Sequence, residues 1–253
     1  MKTFQNKFLF ILTLSLCGIF SVAYGQDPRD ILQRMEDNMR GSSSFMEMTM
    51  ETVRPRFTRE VSMKSWSLGE EYALILITAP ARDQGTVFLK RGNEVWNFVP
   101  NIDRTVKMPP SMMSQSWMGS DFTNDDLVRG NSTVDDFSHR LLGSETIDGT
   151  ECYRIESIPH PETPVAYDKI IRWVSKSTFL PVKVENFDER GQLVSTIHFR
   201  EVKNLGGRNL PTVMEMIPHD RRGHKTILRT HQADFRVNLN PNFFTQQNMR
   251  NVR

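Results

Sequence analysis

The architecture of this chain turns on FMEMTME, residues 45–51, where Met46, Met48 and Met50 alternate with Glu47, Thr49 and Glu51. A period of two puts the methionines on one face and the polar residues on the other, the pattern of a half-buried β-strand. Just upstream the period differs. Asp27-Pro28 offers a cap followed by a proline for the first helical turn, Ile31, Leu32, Met35 and Met39 share a face, and Gly41 supplies a stop. That predicts an amphipathic helix of about three to four turns. Downstream, strands are expected over residues 57–67, 71–78, 84–91, 93–99, 137–146, 151–158, 168–175, 180–187, 192–204, 209–218 and 224–236. Turn signals separate several of them: Arg91-Gly92-Asn93, Asp148-Gly149, Glu189-Arg190-Gly191, Gly206-Gly207 and Arg222-Gly223. Connections this short join antiparallel neighbours. A last short helix is expected after Asn240-Pro241, carrying Phe243, Phe244 and Met249. The expectation is a mainly β domain built on one large, curved antiparallel sheet, without an internal linker or repeat.

The first 25 residues read differently. Lys2 and Lys7 precede the apolar run FLFILTLSLCGIF at 8–20, and Ala23-Tyr24-Gly25 follows, the three regions of a secretory signal peptide with cleavage before Gln26. A retained membrane anchor is the alternative, but the run is shorter than the ~20 residues of a span. Lipidation at Cys17 is disfavoured by the bulky Leu16 before it. The expected mature domain, residues 26–253, carries 30 basic and 30 acidic side chains. This balance argues against a nucleic-acid groove, which needs a clustered basic excess. It retains Cys152 alone, so an internal disulfide is impossible and stability must come from burial. Cys152, beside Tyr153 and without a neighbouring base, is expected to be a buried, unreactive thiol.

Catalysis finds little support in the spacing of reactive residues. The histidines at 139, 160, 198, 219, 224 and 231 show no helical i, i+4 pair and no CxxC companion, so no metal is expected. His219 and His224 straddle a turn and could meet. No Gly-x-Ser-x-Gly elbow occurs, and Ser114 and Ser116 sit among methionines. The pairs Asp125-Asp126 and Asp135-Asp136 each follow a threonine, Thr123 and Thr133, which suits capped turns better than an acid/base pair. A transmembrane barrel is disfavoured because Arg59-Glu60, Lys64 and Arg200-Glu201-Val202-Lys203 put charge where a lipid-facing row must be apolar.

What remains is apolar surface of an adaptable kind. Thirteen methionines follow residue 25, and methionine suits surfaces that change shape or bind varied partners. YALILI at 72–77 is apolar on both rows, so the sheet needs two covers, yet only one substantial helix is evident.

The segment Trp117-Met118-Gly119-Ser120-Asp121-Phe122-Thr123-Asn124-Asp125-Asp126-Leu127, with Leu141-Leu142-Gly143 and Asp148-Gly149-Thr150-Glu151-Cys152-Tyr153, resembles the LolA-like outer-membrane lipoprotein-sorting family. Asn209-Leu210-Pro211-Thr212, His224-Lys225-Thr226 and Phe243-Phe244-Thr245 are similar to later motifs of that group. The resemblance implies a half-open, incomplete β-barrel with helices and loops over a hydrophobic cavity that holds acyl chains during transit through the periplasm. It implies no cofactor and no catalysis. The chain is longer than the shorter members and has a methionine-rich insertion. Its longer branch is linked with RND-type membrane exporters, so the cargo is either a lipoprotein or another lipid, with an inner-membrane exporter and an outer-membrane acceptor as candidate partners. A monomer is expected.

On this reading the ligand would be lined by Met63, Leu74, Leu76, Phe88, Trp96, Phe98, Met112, Met113, Trp117, Met118 and Phe122. Trp96 and Phe98 should share a face, taken to be the concave one. A short helix from Pro110 to Gly119 would set Met113 and Trp117 on one side across the mouth. An acyl chain gains about 0.8 kcal/mol per buried CH₂, enough for capture without any catalytic group. The same residues could instead form a permanent core plug. A docking module whose cavity is filled by its own side chains, and a hydrolase with a triad assembled only in space, are the other readings.

Overall fold

The computed structural model describes residues 26–129, 134–161, 163 and 165–253. The expected signal peptide and Thr133 of the second expected capped turn lie outside the described residues. Helix α1 (Pro28–Arg40) forms as its pattern predicts: the Asp27 side chain accepts from the Arg29 amide, Ile31, Leu32 and Met35 are buried, and Gly41 ends the helix at φ +66°. The left-handed stop is where glycine is favoured.

Thirteen strands among the described residues form one antiparallel sheet. They are β1 (Ser43–Arg54), β2 (Phe57–Leu68), β3 (Tyr72–Ala79), β4 (Val87–Arg91), β5 (Glu94–Val99), β6 (Arg104–Met108), β7 (Phe137–Ile147), β8 (Thr150–Pro159), β9 (Lys169–Ser175), β10 (Pro181–Phe187), β11 (Leu193–Leu205), β12 (Arg208–Pro218) and β13 (Lys225–Asp234). Strand β6 was not expected from sequence. It is a short edge strand with exposed Arg104, Val106 and Lys107, and charge on an edge masks strand periodicity while discouraging edge-to-edge pairing. The β11–β12 turn requires glycine: Gly206 has φ +58°, and a Cβ there would lie 2.5 Å from the Ala233 carbonyl oxygen.

The strand order is β6-β5-β4-β3-β2-β1-β13-β12-β11-β10-β9-β8-β7. Two meanders therefore meet at the β1–β13 pair, where Met50 lies opposite Leu228. The free edges β6 and β7 do not pair, so the curved sheet is not closed. The described residues 109–129, the crossing segment, leave β6 at one free edge, and residues 134–136 lead into β7 at the other. Register shifts within β1, β2, β7 and β10 bend the strands further.

One apolar cluster joins Met50, Val61, Met63, Ile75, Phe88 and Val95 to Ile170, Val184, Ile197, Met216 and Leu228. Side chains from both halves of a single sheet can meet only on its concave side. The crossing segment adds Met113, Trp117, Phe122 and Val128 to that cluster, and α1 covers the adjoining part through Ile31, Leu32 and Met35 against Ile155 and Val174. The convex face has its own cover. Leu74, Leu76, Val87, Leu89, Trp96 and Phe98 pack beneath Phe244, Met249 and Val252. Here the expected single terminal helix is instead a 3-10 turn (Pro241–Phe243), capped by Asn240, followed by the short helix α2 (Gln246–Met249), capped by Thr245.

Candidate ligand-binding site

The concave face is rich in one side chain. Met50, Met63, Met108, Met113 and Met216 are buried in its cluster, with Met48, Met112, Met118 and Met214 packed against it. Alternation explains the sheet contribution: Met48 and Met50 on β1 lie opposite Met63 and Val61 on β2. Met108 on β6 and Met214 and Met216 on β12 add to it, and Met112, Met113 and Met118 come from the crossing segment. This segment is not the single helix expected from Pro110 to Gly119. Residues 110–119 form two 3-10 turns, Pro110–Met112 and Trp117–Gly119, and Met118 sits at φ 50° inside the second. Left-handed backbone at Met118 breaks any continuous helical face. Trp117 and Phe122 nonetheless turn fully inward, each with no exposed surface, because the Trp117 amide donates to the Phe122 carbonyl at 2.8 Å and closes a tight loop. The Trp117 ring meets Phe88 at 5.4 Å between centroids. Its buried Nε1 has no hydrogen-bond acceptor among the described residues, an arrangement that costs about 1–3 kcal/mol in a closed state.

Polar clamps hold the segment at two places. At the first, Arg54 Nη1 donates to Asp121 Oδ2 at 2.8 Å and Arg54 Nη2 to the Gly119 carbonyl at 2.9 Å. Thr226 Oγ1 also donates to Asp121 Oδ2, at 2.7 Å, and accepts from the Asp121 amide at 2.9 Å. Arg59 reaches the Met118 carbonyl at 2.9 Å and Asp83 at 2.7 Å. The Asp121 side chain is fully buried and that of Arg54 is 9 % exposed, so removing either partner strands a buried charge. At the second clamp, Asp126 Oδ2 accepts from the Thr123 amide and hydroxyl, both at 2.8 Å, and from the Tyr167 hydroxyl at 3.1 Å. The Asp126 amide donates back to Thr123 Oγ1. This is the reciprocal cap expected at Thr123, with an added tie to the opposite loop. Burial raises the Asp126 carboxyl from 3.8 to about 6. Burial first, and the Asp126 charge second, push the Tyr167 phenol upward as well.

Met63, Phe88, Met112, Met113, Trp117, Met118 and Phe122 are thus brought together on the concave side. Leu74, Leu76, Trp96 and Phe98 are not. Trp96 and Phe98 do share a face, as alternation requires, but it is the convex one, and the concave placement expected for them is corrected. The C-terminal segment supplies the second cover that the earlier count of helices lacked. Sequence reasoning also missed Arg54, Tyr167 and Thr226, whose partners lie 67, 41 and 105 residues away; no local signal marks them.

The remaining reactive side chains fall apart. His219 does not meet His224; its Nε2 lies 2.9 Å from Thr196 Oγ1. Asp135 pairs with Arg29 of α1. Among the described residues no three His, Cys, Asp or Glu side chains gather as a metal set. Ser157 Oγ is 2.9 Å from His139 Nδ1, but His139 Nε2 faces the Val134 carbonyl rather than a carboxylate, and Ser157 is fully buried and accepts from Arg172. Without an orienting acid or access, this pair lacks the makings of a nucleophile. Cys152 is fully buried, and burial pushes its thiol pKa up.

At the open end of α1 lies a different surface. A cleft of about 190 Å³ is lined by Glu36, Met39, Arg40, Ser44, Met46, Ser65, Ser67, Glu70, Tyr72, Ala73, Lys90, Leu127 and Val128. It adjoins a wider hollow beside Gly41, Gly69 and Arg208. No helix among the described residues is long and apolar enough to cross a membrane.

Residues 69–251 match a family model described as "-like: Uncharacterized protein". No curated protein matches the chain in sequence. Among solved structures, a Vibrio parahaemolyticus domain assigned to outer membrane lipoprotein sorting is 24% identical, with 88% of this chain and 98% of that one covered and a TM-score of 0.80. A DUF1329 family protein from Desulfovibrio piger is 25% identical over 88% of this chain and 99% of its own, with a TM-score of 0.80. A LolA superfamily protein from Nitrosomonas europaea is 25% identical over 88% of this chain and all of its own, with a TM-score of 0.77.

Proposed function

Because the chain belongs to the LolA-like family, we propose that it is a periplasmic carrier whose concave methionine face takes up the acyl chains of a lipoprotein or another lipid. The observation that carries this reading is the nature of the cover. Six methionines from the sheet meet three carried by a crossing segment that is held mainly by short turns and polar clamps rather than by a long packed element. A cover of this kind can leave as a unit once its clamps release, whereas the sheet beneath stays intact. Each CH₂ that replaces it contributes about 0.8 kcal/mol, and flexible thioethers can repack around chains of different shape. Lid, rim and cavity then need no catalytic group. Transfer from an inner-membrane exporter to an outer-membrane acceptor is the cycle that such a carrier would serve.

The test is a reversible lock. Asp121→Cys with Thr226→Cys joins two side chains that already touch at 2.7 Å, in an Arg54→Met background that leaves no buried guanidinium without its carboxylate, and buried Cys152 does not compete. Oxidised protein should take up no fluorescent lipid probe and reduced protein should bind it. Equal uptake in both states refutes a moving cover; no uptake in either state, nor by the unsubstituted protein, favours a docking module filled by its own side chains.

A further inference from the structure

The cleft at the end of α1 is the polar margin of an apolar face, and its composition is specific. Lys90 follows Phe88 on the same side of β4, yet it is only 7 % exposed. Its Nζ donates to the Glu70 carbonyl at 2.6 Å, which fixes the ammonium at the cleft wall. Arg40 enters from the last turn of α1, 3.6 Å from Glu36. Ser44 and Ser67, joined at 2.7 Å, and Ser65 present hydroxyls from β1 and β2. The floor is apolar: Met46 from β1, with Leu127 and Val128 from the crossing segment, and the last two belong to the concave cluster. Cations, hydroxyls and an apolar floor that runs into the methionine face together describe an amphiphile, head outward and chain inward. Charge selects the sign of the head. Two carboxylates, Glu36 and Glu70, line the cleft with Lys90 and Arg40, but Glu36 is faced by Arg172 as well as by Arg40, so three cations stand against two anions around it.

We propose that this cleft binds the anionic head, carboxylate or phosphate, of the amphiphile whose chain enters the concave face, with Lys90 and Arg40 as the recognising cations. The proposal rests on the carrier reading and adds to it a preference for charge. Charge-assisted hydrogen bonds to an ammonium or guanidinium are about twice as strong as neutral ones, so the preference is measurable against a neutral head on the same chain.

The experiment is displacement of bound N-phenyl-1-naphthylamine from the full chain by laurate, dodecyl phosphate and dodecanol, at a pH where both acids are ionised. The anionic compounds should displace the dye at roughly tenfold lower concentration than dodecanol, the order expected of one charge-assisted contact. Lys90→Met should abolish that advantage, read as the ratio of anionic to neutral displacement within the same variant, and Lys90→Arg should keep it. Arg40→Gln, at the C-terminal end of α1, should reduce it. The ratio of laurate to dodecyl phosphate tells carboxylate from phosphate. Equal displacement by all three in the unsubstituted protein, or an unchanged advantage in Lys90→Met, overturns head-group recognition while the carrier reading stands. Failure of the dye and all three compounds to bind overturns the carrier reading itself.

Discussion

Asp126 ties the crossing segment to the opposite loop, and its titration should show in the stability of the protein. Its carboxyl rises from 3.8 to about 6 through burial. At about 1.4 kcal/mol per unit, the ionised form in the folded state costs up to about 3 kcal/mol; the side chain keeps partial solvent contact, so screening brings this nearer 2 kcal/mol. For a carboxyl raised on folding, the native state holds the proton more tightly than the unfolded chain. Below about pH 4 both states are protonated and nothing is lost; stability falls as pH rises from there to about 6, and the whole cost is present above it. Asp126→Asn removes the titration and keeps an acceptor for Thr123 and Tyr167. Urea unfolding of both proteins at closely spaced pH should show a difference that shifts by about 2 kcal/mol in favour of the variant between pH 4 and 7. Glu36 is raised in the same direction, but it is present in both proteins and cancels. A difference that stays constant with pH would refute the assignment. The consequence for the cover is direct: its anchor is held least firmly at neutral pH.

Three further outcomes follow from burial. Met113→Ser with Trp117→Ser should lower thermal stability by several kcal/mol, since large-to-small changes at buried sites cost about 2–5 kcal/mol each and both residues are buried in the closed state; an unchanged melting point would mean that the segment is not packed in solution. Phe244→Ala, on the convex side, should cost about 3–5 kcal/mol yet leave lipid-probe affinity per folded molecule unchanged, whereas a large affinity loss would place the cavity on the wrong face. Cys152, fully buried with a raised pKa, should react with a thiol reagent only after denaturation, as followed by absorbance; rapid reaction of the native protein would contradict its placement.

Local patterns were readable wherever a property of a few neighbouring residues suffices. Asp27, Pro28 and Gly41 bound α1, and the alternation of Met46, Met48 and Met50 makes β1 a strand with one apolar face, because backbone geometry enforces both periods on any chain. Turn chemistry at Asp148-Gly149 and Gly206-Gly207 likewise requires antiparallel neighbours. Alternation also places Trp96 and Phe98 together. It cannot say which side they face, for that depends on a cover that arrives about 145 residues later as Phe244, Met249 and Val252. The same limit applies to the methionine-rich segment. Its composition marks it as apolar and irregular, but its placement is a tertiary matter: it leaves β6, one of the two unpaired edges, and buries Met113, Trp117, Phe122 and Val128 in the concave cluster. The clamps of Asp121 with Arg54 and Thr226, and of Asp126 with Tyr167, join residues remote in sequence, and each carries little meaning alone. Periodicity is a short-range property of the backbone, whereas the choice of face, cover and clamp is made only when distant segments compete to bury the same apolar surface.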